Sequence, residues 1–163
     1  MSNSVFYSYL QSPIGLVEIS GTTSFVTSVN FVTKKIIESE SIPSVLEQCK
    51  IELEEYFSGK RKNFSVNISY EGTEFQKKIW SQLLQIKYGE TVSYLHISKQ
   101  IGDGKAVRAV GHANGKNPIA IIIPCHRVVG ADGKLTGYAG GIWRKQWLLE
   151  LESNISKTNL TLF

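Results

Sequence analysis

Five consecutive apolar residues, Ile119-Ala-Ile-Ile-Ile123, run into Pro124, and a thiol, an imidazole and a guanidinium follow at once in Cys125, His126 and Arg127. The run is β-branched except at Ala120 and short enough to be a strand buried on both faces. Proline cannot donate to a ladder, so the strand is expected to stop or bulge at Pro124 and turn Cys125 out of the pleat. Apolar surroundings alone would raise the thiol's pKa and keep it protonated. His126 and Arg127 supply an electropositive neighbourhood, and the stretch reads as a strand delivering a cysteine nucleophile into a pocket. The rival reading is a plain core cysteine, since cysteine is among the most buried residue types. A phosphatase loop is excluded, because it would want an arginine six positions after the cysteine and Ala131 stands there.

Length and composition bound the rest. The 163 residues suffice for one ordinary domain or two small ones. With 42% hydrophobic and 20% charged residues the chain is globular rather than disordered. Cys49 and Cys125 are its two cysteines, too few for a disulfide framework or a cysteine-based zinc cluster. Cys49 falls on a helical apolar stripe and reads as core. The amino terminus lacks a basic start followed by an apolar core, and no run reaches membrane-spanning length, so a soluble intracellular protein is expected. A net charge of +4 and a pI near 9.0 fit a polyanionic partner without pointing to one.

Taken in order, residues 4 to 33 alternate as strands do, with expected strands at Val5–Leu10, Leu16–Ile19 and Phe25–Phe31 in an antiparallel meander. A helix follows Pro43, carries Leu46, Cys49, Leu53, Tyr56 and Phe57 on one stripe, and ends at Gly59. Lys60-Arg61-Lys62 reads as a solvated turn. Phe64, Val66 and Ile68 suggest one more strand, and a domain boundary is expected near residue 71. From there the pattern is helical. Thr73 caps a helix bearing Phe75, Ile79, Trp80, Leu83 and Leu84, and Thr91 caps a second that ends at Gly102-Asp103-Gly104. A third helix begins near Lys105. Its apolar side is Ala106, Val107, Val110 and Ala113, while Arg108, Gly111, His112 and Gly115 share the other. Glycine in a helix costs about 1 kcal/mol relative to alanine, so two on one face suggest close approach to a backbone or groove. Three helices with a glycine turn between the last two outline a helix-turn-helix unit. Gly130-Ala-Asp-Gly133 reads as a hairpin turn, Thr136 to Gly141 as a flexible loop, and a last helix carries Ile142, Trp143, Trp147, Leu148 and Leu151.

The stretch Asn117-Pro-(apolar)5-Pro-Cys-His-Arg-Val128 resembles the active-site signature of the O6-alkylguanine-DNA alkyltransferases. Further matches occur in the family's order: Gly72-Thr-Glu-Phe-Gln76 with Trp80, Tyr88-Gly-Glu-Thr-Val-Ser-Tyr94, Arg108-Ala-Val-Gly111, Gly137-Tyr-Ala-Gly-Gly141 and Trp147-Leu-Leu. Together they cover roughly residues 72 to 152. The amino-terminal half, with Ser12-Pro-Ile-Gly-Leu16, is similar more loosely. The resemblance implies an α+β, two-domain chain: a small ribonuclease-H-like domain over residues 1–70 and a winged helix-turn-helix domain over residues 71–163.

It also implies a set of roles. Cys125 is the alkyl acceptor, activated by His126 through a water and by Glu152. Tyr94 protonates a guanine ring nitrogen, and Asn117 ties the active-site turn to the recognition helix. Arg108 fills the gap left by a flipped nucleotide, and Ser93, Ala109, Gly111, Gly115 and Arg127 lie along the DNA. Tyr138, Ala139 and Gly140 line the base pocket, Ala139 standing where some relatives carry a serine. The implied partner is duplex DNA containing O6-alkylguanine, bound by a cytoplasmic monomer (nuclear in a eukaryote) with no cofactor, metal or membrane. Two rivals remain: a winged-helix binding module, against which Cys125 in its intact context argues, and a cysteine hydrolase, for which no oxyanion motif is recognisable.

Overall fold

The computed structural model describes residues 4–161, with side chains described through residue 153. It divides into two compact units, residues 1–70 and 71–163. Among the described residues no helix is long and apolar enough to cross a membrane.

In the first unit three strands, β1 (Phe6–Ser12), β2 (Gly15–Gly21) and β3 (Val26–Val32), form an antiparallel sheet in that order. The β1–β2 register runs from Phe6 opposite Gly21 to Ser12 opposite Gly15. Ser12 closes the turn, its Oγ donating to the Gly15 carbonyl at 2.6 Å and accepting from the Ile14 amide at 3.2 Å. Helix α1 (Ser44–Phe57) packs on the sheet through Leu46, Cys49, Leu53 and Tyr56, all fully buried. The strand expected over Phe64 to Ile68 does not form beyond a single bridge between Ile68 and Val26. A competing acceptor explains this. The buried Glu52 carboxylate takes the amides of Ser65 and Val66 at 2.8 and 3.2 Å, and the Ser65 hydroxyl at 2.7 Å.

The second unit begins with a full capping box. Thr73 Oγ1 accepts from the Gln76 amide and Gln76 Oε1 from the Thr73 amide, each at 3.0 Å, and helix α2 (Glu74–Leu83) starts there. Trp80, on its buried face, donates its indole N–H to the Ala113 carbonyl at 2.9 Å and so fastens α2 to helix α4 (Val107–Gly115). A short strand β4 (Val92–Ser93) precedes helix α3 (Tyr94–Gln100), whose cap is Ser93 rather than Thr91: its Oγ accepts from the His96 amide at 3.0 Å. Two residues of strand lie between Thr91 and the helix, which puts Thr91 out of reach of the orphan amides. The turn between α3 and α4 passes through Gly102 at φ +83°, a left-handed position suited to glycine.

The run Ile119–Ile123 is not a strand. It is a compact turn in which the Ile122 amide donates to Ala120 and the Ile123 amide to Ile119, with Ile121 at φ +72°. Asn117 holds it, Oδ1 accepting from the Ile119 amide at 2.9 Å and Nδ2 donating to the Ile123 carbonyl at 2.7 Å. Apolar content made this segment look like a strand; a side-chain clasp across six residues makes it a knot of core. A single 3₁₀ turn over Cys125–Arg127 follows, then β5 (Val128–Val129), which pairs in parallel with β4. Beyond β5, the Gly130 amide donates to the Lys134 carbonyl, closing the wing turn. Helix α5 (Ile142–Thr161) is held by Lys145, Leu148 and Glu152, spaced i, i+3 and i+7 on one buried face.

Candidate active site

The 3₁₀ turn places Cys125, His126 and Arg127 in the interior, with Cys125 7% exposed and His126 fully covered. Glu152 reaches in from α5, and His126 Nε2 lies 2.7 Å from its Oε2. Arg127 donates through Nε to Oε1 at 2.8 Å and through the guanidinium's second arm to Oε2 at 3.0 Å; its third nitrogen takes the Ile86 carbonyl at 2.7 Å. The Gly89 amide adds a donor to Oε1 at 3.2 Å. This corrects the expectation that Arg127 lies along DNA. Its guanidinium is committed to a bidentate pair and a carbonyl in the interior, the geometry arginine suits best.

The protonation pattern follows. Burial by itself would raise the Glu152 carboxyl, but His126 and Arg127 outweigh it and hold the group down at about 2. Burial lowers the His126 pKa against the pull of Glu152, so the imidazole is neutral at rest. Arg127 is a permanent cation and keeps Glu152 ionised whatever the histidine does. A neutral His126 facing a carboxylate must put its proton on Nε2, which leaves Nδ1 as a bare acceptor. That nitrogen is buried and has no partner among the described residues. Burial also raises the Cys125 thiol, opposed by Asn117 and by the positive charge of Lys145, so the resting pair is thiol and neutral imidazole. Cys49 differs in kind: buried beside Glu52, its thiol is pushed up to about 12, with no base at hand.

Lys145 went unrecognised in the sequence. It is fully buried, and its ammonium donates to the Val128 carbonyl at 2.6 Å and the Thr136 carbonyl at 2.8 Å. It also lies 5.9 Å from the centre of the Tyr94 ring. The signal available was its place three residues before Leu148 and seven before Glu152, on the one face of α5 that turns inward. Asn114 was missed as well: it is 4% exposed and donates through Nδ2 to the Cys125 carbonyl at 3.3 Å.

The remaining residues divide cleanly. Tyr94 Oη accepts from the Thr136 hydroxyl at 2.9 Å, and Tyr94, Gly111, Asn114, Thr136 and Tyr138 line one cavity of about 470 Å³. Ala139 is exposed and Gly140 half-buried, the latter's carbonyl accepting from Arg144. Arg108, Ala109 and Gly115 are exposed on α4, and a Cβ at Gly111 would stand in ordinary contact with the Tyr94 ring, 3.8 Å away. Ser93 is spent on capping α3. The second unit carries twelve basic residues against seven acidic ones, so the chain's positive charge is concentrated here. Among the described residues no cluster of His, Cys, Asp and Glu is arranged to hold a metal ion.

Comparison with known proteins agrees over nearly the whole chain. Residues 5–70 match the family model of the "6-O-methylguanine DNA methyltransferase, ribonuclease-like domain", and residues 74–154 that of the same family's "DNA binding domain". A methylated-DNA–protein-cysteine methyltransferase of Methanosarcina acetivorans is 48% identical, covering 92% of this chain and 99% of its own. Among solved structures, the O6-methylguanine methyltransferase of Mycobacterium tuberculosis superposes with a TM-score of 0.87 at 45% identity, covering 98% of this chain and 99% of that one. A Mycobacterium tuberculosis OGT in complex with DNA gives 0.85 at 47% identity, covering 92% and 94%. The chain therefore belongs to the 6-O-methylguanine DNA methyltransferase family, with a ribonuclease-like amino-terminal domain and a DNA-binding carboxyl-terminal one.

Proposed function

We propose that this chain repairs duplex DNA by direct reversal, moving the alkyl group of O6-alkylguanine onto Cys125 once per molecule. The observation that carries the reading is the protonation order at the site: Arg127 holds Glu152 as an anion, Glu152 holds the His126 proton on Nε2, and Nδ1 is left as a buried acceptor on the residue that follows Cys125. Through a water His126 takes the thiol proton and becomes an imidazolium that Glu152 stabilises, while Asn117 and Lys145 favour the sulfur anion. The thiolate attacks the alkyl carbon, forming the S–C bond as the C–O6 bond breaks. Its electron pair moves into the purine ring, and Tyr94 Oη is the donor that returns a proton to a ring nitrogen.

The target oxygen lies inside a stacked duplex, so the nucleotide has to leave the stack before a buried thiolate can meet it. Extrusion costs a few kcal/mol, and Arg108, exposed on the recognition helix, fills the void and offsets part of that cost. A thioether has no leaving path at neutral pH, so the protein is consumed. After incubation with a duplex containing O6-methylguanine, peptide mass spectrometry should find one methyl group on the Cys125 peptide and none on Cys49. Several turnovers per molecule, or transfer that survives Cys125→Ala, would refute it.

A further inference from the structure

Trp143, in the first turn of α5, is 55% exposed, and Ile142 beside it 49%. Arg144 lies over the indole, its Cζ 4.4 Å from the ring centre, and donates to the Gly140 carbonyl. Cation and ring are thereby fixed on each other and on the end of the loop. One face of the ring is taken, so the exposure that remains belongs to the other face and the outer edge. The inner edge packs on bare backbone: a Cβ at Gly141 would come within 3.2 Å of the indole Cδ1, and that glycine sits at φ +98°. An indole held open in this way forgoes the burial from which such a side chain gains most.

Its place indicates what meets it. The Gly141 amide donates to the Tyr138 carbonyl at 2.8 Å, closing a turn, and Gly137 and Tyr138 line the cavity of about 470 Å³. The stacked pair therefore stands one turn outside that cavity, on its rim. A nucleotide drawn from a duplex into the cavity brings its sugar–phosphate backbone past the rim. Deoxyribose offers an apolar face to an indole, and phosphate suits a guanidinium. Ile142 and Trp143 alone would match an apolar protein surface. The cation fixed on the ring favours a polyanion instead, as does a unit with twelve basic residues against seven acidic ones.

We infer that Trp143 and Arg144 form a second DNA contact, separate from the recognition helix, in which the indole packs on a deoxyribose and the guanidinium meets a phosphate of the strand carrying the alkylated base. The pair reads no base; it holds the backbone in its drawn-out course. The inference rests on the methyl-transfer reading above.

Its test compares two reactions of Cys125 in the full-length protein: methyl transfer from a duplex containing O6-methylguanine, followed as a second-order rate, and alkylation by iodoacetamide, which needs no DNA. Trp143→Ala should slow the first about fivefold or more and leave the second at the wild-type rate. Arg144→Met should lower the salt dependence of duplex binding by about one phosphate. When the phosphates flanking the lesion are replaced in turn by neutral methylphosphonates, one position should slow the wild type and add no further loss to Arg144→Met. Equal slowing of both reactions by Trp143→Ala would make the pair a prop for the loop, and unchanged duplex repair would leave the patch to another occupant; either overturns the inference, as does an unaltered salt dependence in Arg144→Met. Trp143→Leu repeats the comparison should Trp143→Ala not fold. Iodoacetamide alkylation without any methyl transfer from the duplex, in the wild type, would instead overturn the methyl-transfer reading.

Discussion

Replacing Glu152 by glutamine tests whether the ion triad is as tightly coupled as its geometry requires. The substitution keeps the side chain's shape and removes its charge, leaving Arg127 a buried cation with no anion and His126 with no reason to keep its proton on Nε2. The size follows from the carboxyl itself. Holding it at about 2 against an ordinary 4.5 corresponds to ~3 kcal/mol at neutral pH. Breaking a buried ion pair from one side typically costs about 3–5 kcal/mol, which agrees. Because the folded value lies below the unfolded one, this contribution is complete above about pH 4.5 and is lost as the pH falls through about 2. Urea denaturation of wild type and Glu152→Gln should therefore differ by ~3 kcal/mol at pH 7, and by roughly half that or less at pH 3. A gap under about 1 kcal/mol at pH 7 would show that water, not Glu152, balances Arg127. A gap that stays the same down to pH 3 would show that the lost stability is packing rather than charge.

Two further substitutions probe the surface and the interior. Arg108→Ala should slow repair of duplex DNA by about tenfold or more while sparing reaction with free O6-benzylguanine, because only the duplex has a void to fill; equal losses on both would give Arg108 a role in the fold or pocket instead. Lys145→Met removes the buried cation that favours the Cys125 thiolate, so the pH profile of Cys125 alkylation by iodoacetamide should move upward and the rate at pH 7 fall roughly tenfold. An unmoved profile would mean that Lys145 serves only the Val128 and Thr136 carbonyls.

What could be read from the sequence was whatever depends on near neighbours. Thr73 with Gln76, the glycine at 102 and the stripe of α1 are local, and their structures follow from capping, left-handed φ and helical spacing. The segment from Ile119 to Ile123 defeated the same reasoning, because composition cannot reveal that Asn117 will clasp both ends of it. Arg127 was misplaced for a related cause. A charged residue defaults to the surface, and its burial depends on a carboxylate 25 residues further on. That Glu152 faces His126 entered only through family resemblance, since no spacing rule joins a 3₁₀ turn to the third turn of a later helix. Lys145 and Asn114 are polar residues on the inward faces of helices, where only the neighbours' pattern distinguishes a ligand from a solvated side chain.

The left-handed backbone at Ile121 has a bearing on what can disturb the nucleophile. A β-branched residue at φ +72° costs of order 1–3 kcal/mol and persists only where its surroundings impose it. Those surroundings are the clasp of Asn117, the Asn114 tie to Cys125 and the seating of α4 against Trp80. A chain lacking them has no reason to hold that turn, so any change that loosens the docking of these helices reaches Cys125 without touching it.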